Sequence, residues 1–181
     1  MTKHFLNLKD LPSDEIKSIV SNALEMKKNS ASNLKLQGKY LGLIFEKSST
    51  RTRISFEVAM NQLGGKASFL SVNDLQLGRG EPISDTSKVI SSMADALVLR
   101  TLKHQTLEEF ASNSRIPIIN GLTDLSHPCQ LLADILTFQE HRGSIENKKV
   151  CWVGDFNNVC FSYVEAAEIF NFNLEIVCPD K

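Results

Sequence analysis

Short apolar runs alternate along this chain with stretches whose apolar residues recur at helical spacing. The apolar runs predict strands at residues 40–45, 66–72, 96–99 and 116–119. The helical stretches predict helices over residues 13–28, 84–93 and 127–140. A further helix is predicted between a cap at Ser49 or Thr50 and its end at Gly64-Gly65, and a short one begins near the cap Thr106. Such alternation is typical of an α/β fold with a largely parallel sheet.

A polar stretch around Gly143 separates this pattern from a shorter one. The shorter pattern predicts two strands and a helix between them: residues 150–153, 174–178 and 159–170. We therefore expect a first domain over residues 1–142 and the beginning of a second, Rossmann-like domain over residues 148–181. Because two strands and one helix cannot cover both faces of a sheet, we expect this second domain to be cut off after one βαβ unit.

Composition and charge exclude several classes of protein. Of the 181 residues, 42% are hydrophobic and 23% are charged, as in an ordinary soluble globular protein. The formal net charge of −1 provides no global field for nucleic acid or an anionic membrane. The N-terminus lacks the apolar core of a signal peptide, and no apolar run could span a membrane, so we expect a cytoplasmic protein. Four cysteines without a C-x-x-C pair predict reduced thiols rather than disulfides or a zinc site.

Two arginines lie at the predicted start of the helix after the first strand, in Ser49-Thr50-Arg51-Thr52-Arg53. A helix N-terminus carries about half a positive charge, so cations are unfavourable there unless an anion is bound. Hydroxyl groups, backbone amides and guanidinium at one helix tip suit a phosphate. The alternative is an ordinary Ser or Thr cap with solvated arginines.

Further polar residues follow the other predicted strands, where open α/β sheets bind their ligands. Gln76 follows the second strand, Arg100 the third, and His127 and Gln130 open the helix after the fourth. Each has a plain alternative, such as a surface arginine or a helix cap. Together, an arginine, a hydroxyl and an imidazole kept neutral by the helix end could polarise a carbonyl. The pattern predicts a small ligand with a phosphate and an acyl oxygen, and the sequence shows no carboxylate pair, metal-ligand cluster or glycine-rich nucleotide loop.

Two segments resemble signatures of the aspartate/ornithine carbamoyltransferase family. Residues 49–53 resemble its carbamoyl-phosphate loop, and His127-Pro128-Cys129-Gln130, with residues 120–126 before it, resembles its second signature. The resemblance implies phosphate binding by Ser49, Thr50, Arg51 and Thr52, contacts to the carbonyl oxygen from Thr52, Arg100 and His127, and orientation of the amide by Gln130. It implies catalytic roles for Arg51, Thr52, Arg100 and His127, with no metal or organic cofactor.

The resemblance also has implications for assembly. Gln76, in Leu75-Gln76-Leu77-Gly78, resembles a residue that reaches carbamoyl phosphate in a neighbouring subunit. The family is built on trimers. A homotrimer with sites shared between subunits is therefore implied.

The turn Gly154-Asp155-Phe156-Asn157-Asn158 resembles one in which an asparagine of the family's ornithine-specific members holds ornithine. This implies ornithine binding by Asn158, and Cys129 differs from the Thr or Ser usual in members that act on aspartate. The implied reaction is attack of the unprotonated δ-amine of ornithine on carbamoyl phosphate, giving citrulline and phosphate in arginine biosynthesis. Three alternatives stay open: a capped turn at Asn157-Asn158, another amine acceptor such as aspartate or putrescine, and a truncated module that binds carbamoyl phosphate without turnover.

Other family motifs, an Asp followed by Ser-Met-Gly and a His-Cys-Leu-Pro segment, would lie beyond Lys181. In the family those residues hold the ornithine side chain. We therefore expect that residues 1–181 alone do not make citrulline at a useful rate.

Overall fold

The computed structural model describes residues 2–28, 34–71 and 80–179. Its elements are, in chain order, a 3₁₀ helix (Leu8–Asp10), α1 (Ser13–Lys28), β1 (Tyr40–Phe45), α2 (Thr50–Gln62), β2 (Lys66–Ser71), α3 (Ile83–Ser91), β3 (Ala96–Arg100), α4 (His104–Ser112), β4 (Ile118–Leu122), α5 (Pro128–Arg142), β5 (Lys149–Val153), α6 (Asn158–Phe170) and β6 (Asn173–Val177). They belong to two compact units, Met1–Leu6 with Ser32–Thr123, and Asn7–Ala31 with Asp124–Lys181. The domain boundary expected between residues 142 and 148 stays a prediction. None of the described helices is long and apolar enough to cross a membrane.

The first unit is built on a parallel sheet of four strands in the order β2-β1-β3-β4. The two central strands are almost continuously apolar and buried, as parallel strands covered on both faces must be. Leu97 and Leu99 of β3 pack with Phe110 of α4 on one face. Alternate residues, such as Val98, pack with Met60 of α2 on the other face. The predicted α/β fold with a parallel sheet is confirmed.

A short N-terminal segment extends this sheet beyond β4, which the sequence patterns did not predict. Phe5 forms a parallel bridge with Ile119; its N–H donates to the Ile118 carbonyl and its carbonyl accepts from the Asn120 N–H, each at 2.8 Å. The buried Asn120 side chain also donates to the Leu6 carbonyl at 2.8 Å. A bridge of one residue pair leaves no alternating apolar pattern, so periodicity could not reveal it.

Most predicted elements are confirmed to within one or two residues, with two informative differences. The fourth helix begins at His104 rather than near Thr106, and the buried His104 Nδ1 lies 2.9 Å from the Thr123 hydroxyl next to the end of β4. The fourth strand reaches Leu122 rather than residue 119, because the polar Asn120 and the small Gly121 are buried inside it. The predicted strand end at Val72 lies outside the described residues.

The second unit combines three helices with a small sheet. Helices α1, α5 and α6 pack on one another through buried apolar residues that include Ile16, Leu131 and Ile169. Strands β5 and β6 form a two-stranded parallel sheet. That sheet is much less covered than the sheet of the first unit, since Val153 is 77% exposed and Val177 is 49% exposed.

Candidate functional site

The N-terminus of α2 is capped by a hydroxyl and has no acidic residue in its first turn. Ser49 is the N-cap residue; its Oγ accepts from the Thr52 N–H at 3.4 Å and donates to Thr52 Oγ1 at 2.9 Å. The first turn contains no acidic residue, so nothing within it neutralises the positive potential of the helix end. Thr50 is exposed at the same tip. The tip therefore has the features that favour a bound anion.

The two arginines of this tip have different surroundings. Arg53 Nε donates to Glu57 Oε1 at 2.9 Å, and its guanidinium carbon lies 4.3 Å from the centre of the Phe69 ring. Those contacts hold Arg53 within the fold as an ion pair and a cation–π pair. Arg51 is exposed at the first turn of α2. Of the two cations, Arg53 is thus engaged by its neighbours, and Arg51 remains the predicted phosphate ligand.

Arg100 reaches the same helix tip from the neighbouring strand. It is the last residue of β3, and its Nη1 lies 3.4 Å from Thr52 Oγ1. Two hydrogen bonds link these strand ends: the Glu46 N–H donates to the Arg100 carbonyl at 2.8 Å, and the Glu46 side-chain Oε2 accepts from the Leu102 N–H at 2.6 Å. The strand order reverses between β1 and β3, which makes this edge a topological switch point, where doubly wound sheets bind ligands.

An irregularity in the sheet sets the position of Arg100. The register between β3 and β4 shifts there, so that Arg100 pairs with Leu122 and not with Gly121. A Cβ at Gly121 would lie 3.0 Å from Val98 Cγ1 and 3.1 Å from the Leu99 carbonyl oxygen, so the close approach of the strands favours glycine. Burial lowers the pKa of the Arg100 guanidinium, which stays cationic at neutral pH. Its buried Nε has no hydrogen-bond partner among the residues that the structure describes. A ligand oxygen could accept a hydrogen bond from this donor.

In the second unit, one buried hydroxyl joins two predicted site positions. His127 is the N-cap residue of α5, and Pro128 occupies the first helical position, which proline favours. The His127 backbone N–H donates to Ser162 Oγ at 2.9 Å. Ser162 in turn donates to the carbonyl of Asn158 at 3.0 Å. A single side chain therefore links the start of α5 to the start of α6.

Gln130 lies in the first turn of α5 and is exposed. Its Nε2 donates to Asp134 Oδ1 at 2.9 Å, one helical turn further along. One N–H of the Gln130 amide is therefore bound to the carboxylate, and the acceptor Oε1 lies at the other end of the amide group.

The two asparagines of the turn before α6 differ in position. Asn157 is the N-cap residue, and its side-chain oxygen accepts from the N–H groups of Val159 at 2.9 Å and Cys160 at 3.1 Å. Asn158 is the first helical residue and is half-buried. The capped-turn explanation therefore accounts for Asn157 and leaves Asn158 as the candidate for a ligand contact.

The comparisons with known proteins agree with these features. Residues 3–140 match the family described as "Aspartate/ornithine carbamoyltransferase, carbamoyl-P binding domain". This chain belongs to that family. The resemblance noted in the helix-tip and His127 segments is thereby confirmed.

Similar proteins are found at high identity. A relative named ornithine carbamoyltransferase in Acinetobacter baumannii is 58% identical over 98% of this chain and 59% of its own length. The solved anabolic ornithine carbamoyltransferase of Campylobacter jejuni has a TM-score of 0.93 at 48% identity, over 99% of this chain and 59% of that one. The catalytic subunit of M. jannaschii aspartate transcarbamoylase has a TM-score of 0.86 at 34% identity, over 99% of this chain and 61% of that one. The chain thus spans about three fifths of the length of these carbamoyltransferases.

The structure thus brings Ser49, Thr52 and Arg100 together in the first unit, and links His127 to Asn158 in the second. Gln76 lies outside the described residues. The sequence patterns did not point to Ser162, nor to Asp134, which accepts from Gln130 and from the Tyr163 hydroxyl of α6 at 3.0 Å. For Asp134 a signal was present, because it follows Gln130 by four residues on one helix face. For the two α6 residues the signal depends on helix packing, which the sequence pattern does not specify.

Proposed function

We propose that this chain binds carbamoyl phosphate and takes part in the transfer of its carbamoyl group to the δ-amine of ornithine. The observation that carries the proposal is the meeting of Arg100 and Thr52 beside the uncompensated α2 tip. Family membership supports it. In the proposed complex, the phosphate lies at Ser49, Thr50, Arg51 and Thr52, and the carbonyl oxygen accepts from Thr52 and Arg100.

The proposed chemistry uses positioning and charge stabilisation. The unprotonated δ-amine attacks the carbamoyl carbon, and negative charge develops on the carbonyl oxygen. Thr52, Arg100 and His127 stabilise that charge by donating hydrogen bonds, while Gln130 orients the carbamoyl amide. The charged carbonyl re-forms as the bond between the carbamoyl carbon and the phosphate oxygen breaks, the proton of the attacking amine passes to the departing phosphate, and citrulline remains. Holding both substrates in register supplies much of the rate without a covalent intermediate on the protein.

The proposal extends to assembly and location. We infer a homotrimer in which Gln76 of one subunit contacts the ligand of a neighbour, on the basis of the sequence resemblance alone. We also propose a cytoplasmic location, as the sequence patterns lead us to expect. The anabolic name of the C. jejuni relative supports the biosynthetic direction.

A titration tests the phosphate assignment. Phosphonoacetamide, in which a methylene replaces the bridging oxygen of carbamoyl phosphate, cannot be cleaved and suits calorimetry. Wild-type protein should bind it, and Arg51→Ala should lose a charge-assisted contact of about 1.5–3 kcal/mol, at least a tenfold loss of affinity. Arg53→Ala is the matched control, because Arg53 is engaged by Glu57 and Phe69 and should matter little. Equal affinity of wild type and Arg51→Ala would contradict the assignment.

Product analysis tests the acceptor. The product of the complete gene is incubated with carbamoyl phosphate and either ornithine, aspartate or putrescine. Citrulline as the main product supports the proposal. Carbamoyl-aspartate or carbamoyl-putrescine as the main product would show that aspartate or putrescine, and not ornithine, is the acceptor. Binding of phosphonoacetamide without formation of any product would indicate a binding module.

A further inference from the structure

Asp134 lies between two hydrogen-bond donors from different helices. Its Oδ1 accepts from Gln130 Nε2 at 2.9 Å on α5, and its Oδ2 accepts from the Tyr163 hydroxyl of α6 at 3.0 Å. All three residues belong to the second unit. The carboxylate thus uses both oxygens at once.

The first of these bonds fixes which end of the Gln130 amide faces outward. An ionised carboxylate only accepts hydrogen bonds, so it binds the NH₂ group of Gln130 and excludes the carbonyl end. A Gln–Asp pair four residues apart on an exposed helix face is weak by itself. The second bond, from another helix, holds the carboxylate in place and restricts both side chains.

Tyr163 is itself well anchored. Its ring lies 5.7 Å from the Trp152 ring of β5, at an interplanar angle of 49°. Burial, together with the negative charge of Asp134, raises the pKa of Tyr163 to about 12. The hydroxyl therefore stays protonated at physiological pH and remains a donor to Asp134.

We propose that Asp134 and Tyr163 are positioning residues that turn Gln130 Oε1 toward the NH₂ group of the carbamoyl ligand. This inference rests on the proposed function, in which Gln130 contacts that amide. Asp134 binds the donor end of Gln130, Tyr163 holds Asp134, and the outward acceptor selects acyl phosphates that carry a primary amide. An acyl group with a methyl in place of NH₂ offers no donor to Oε1 and is rejected.

A pair of probes isolates this contact. Phosphonoacetamide carries the NH₂ group, and acetonylphosphonate has a methyl group in its place with the same phosphonate and carbonyl. Calorimetry of the wild-type protein should show tighter binding of the amide by about tenfold, the effect of one well-placed hydrogen bond. The ratio of the two dissociation constants is the readout, because a general loss of stability would weaken both ligands together.

Asp134→Ala should lower that ratio by about fivefold while the affinity for acetonylphosphonate changes less than about twofold. Glu140→Ala is the matched control on the same helix, since Glu140 pairs with Lys27 and should leave the ratio unchanged. Tyr163→Phe keeps the ring and removes only the hydroxyl, and should lower the ratio by about two- to threefold. Its control is Tyr40→Phe, because Tyr40 lies at the start of β1 and bonds to Ser68.

The outcomes separate this inference from the proposed function. If wild-type protein binds neither probe, the proposed function is wrong. If it binds both and prefers the amide, but the Asp134→Ala and Tyr163→Phe ratios equal that of wild type, the positioning role is wrong. An equal loss for both probes would also reject positioning in favour of a structural role. Should Asp134→Ala fail to fold by circular dichroism, the ratio of Tyr163→Phe decides.

Discussion

The two units position their candidate ligand residues by different means. In the first unit, backbone contacts of a buried parallel sheet hold Arg100 beside the α2 tip, and the sheet register determines where it lies. In the second unit, side chains of α6 hold the start of α5: Ser162 accepts from the His127 N–H, and Tyr163 donates to Asp134, which binds Gln130. A residue that the sheet register positions moves only when the strands themselves shift. Positions set by side chains can be altered by one substitution that leaves the backbone in place.

The largest expected effect is on turnover, and it tests whether the second unit contributes chemistry. In the product of the complete gene, His127→Ala should remove a donor to the developing oxyanion, which costs about 2.7–4 kcal/mol, or roughly a hundred- to a thousandfold in kcat. Steady-state kinetics measures it, with His141→Ala in the exposed last turn of α5 as the control. A raised KM with unchanged kcat would assign His127 to binding only.

Hydrogen exchange measures the difference in protection between the sheets of the two units. Amides of β1 and β3 lie in a covered sheet, whereas β5 and β6 form two strands with exposed valines. We expect exchange in β5 and β6 to be faster by about a hundredfold, roughly 2.7 kcal/mol less opening free energy. Mass spectrometry of the native chain provides the rates. Uniform protection across both sheets would break the contrast.

Gly121→Ala should disturb the first unit through its sheet. The added Cβ would crowd the Val98 side chain and the Leu99 carbonyl, so these neighbours must give way, and we expect a cost of about 1–3 kcal/mol of unfolding free energy. Because Arg100 pairs next to this site, affinity for phosphonoacetamide should fall as well. Gly143→Ala is the control. Its Cβ would have nothing within 4 Å, so this variant carries the backbone strain of a positive φ but no contact with a neighbouring strand. Denaturation and calorimetry measure the two effects, and unchanged affinity in Gly121→Ala would show that the register does not position Arg100.

The smallest effect separates the two asparagines of the second unit. Asn157→Ala removes the α6 cap and should cost about 1 kcal/mol of stability. Asn158→Ala should, in the product of the complete gene, raise the KM for ornithine. Chemical denaturation and kinetics with saturating carbamoyl phosphate test the pair. The reverse pattern would make Asn158 structural and remove it from the ornithine site.

The sequence predicts the first region better than the second for a physical reason. Parallel strands place the residues after their carboxyl ends along one edge, so Thr52 and Arg100 could be expected to meet from strand positions alone. The register shift at Gly121 could not be expected, because it arises from close contacts between neighbouring strands. The links through Ser162 and Tyr163 depend on how α6 packs on α5, which helical periodicity leaves undetermined. The ligand roles of all these residues stay predictions.

The position of Trp152 has an optical consequence. It is the one tryptophan of the sequence, its indole N–H donates to the Asp155 carbonyl at 3.2 Å, and its ring lies beside Tyr163. Indole emission depends on the polarity and hydrogen bonding around the ring. A ligand that reorders the turn before α6, or shifts Tyr163 through Gln130 and Asp134, would therefore change the fluorescence of this protein without any attached dye.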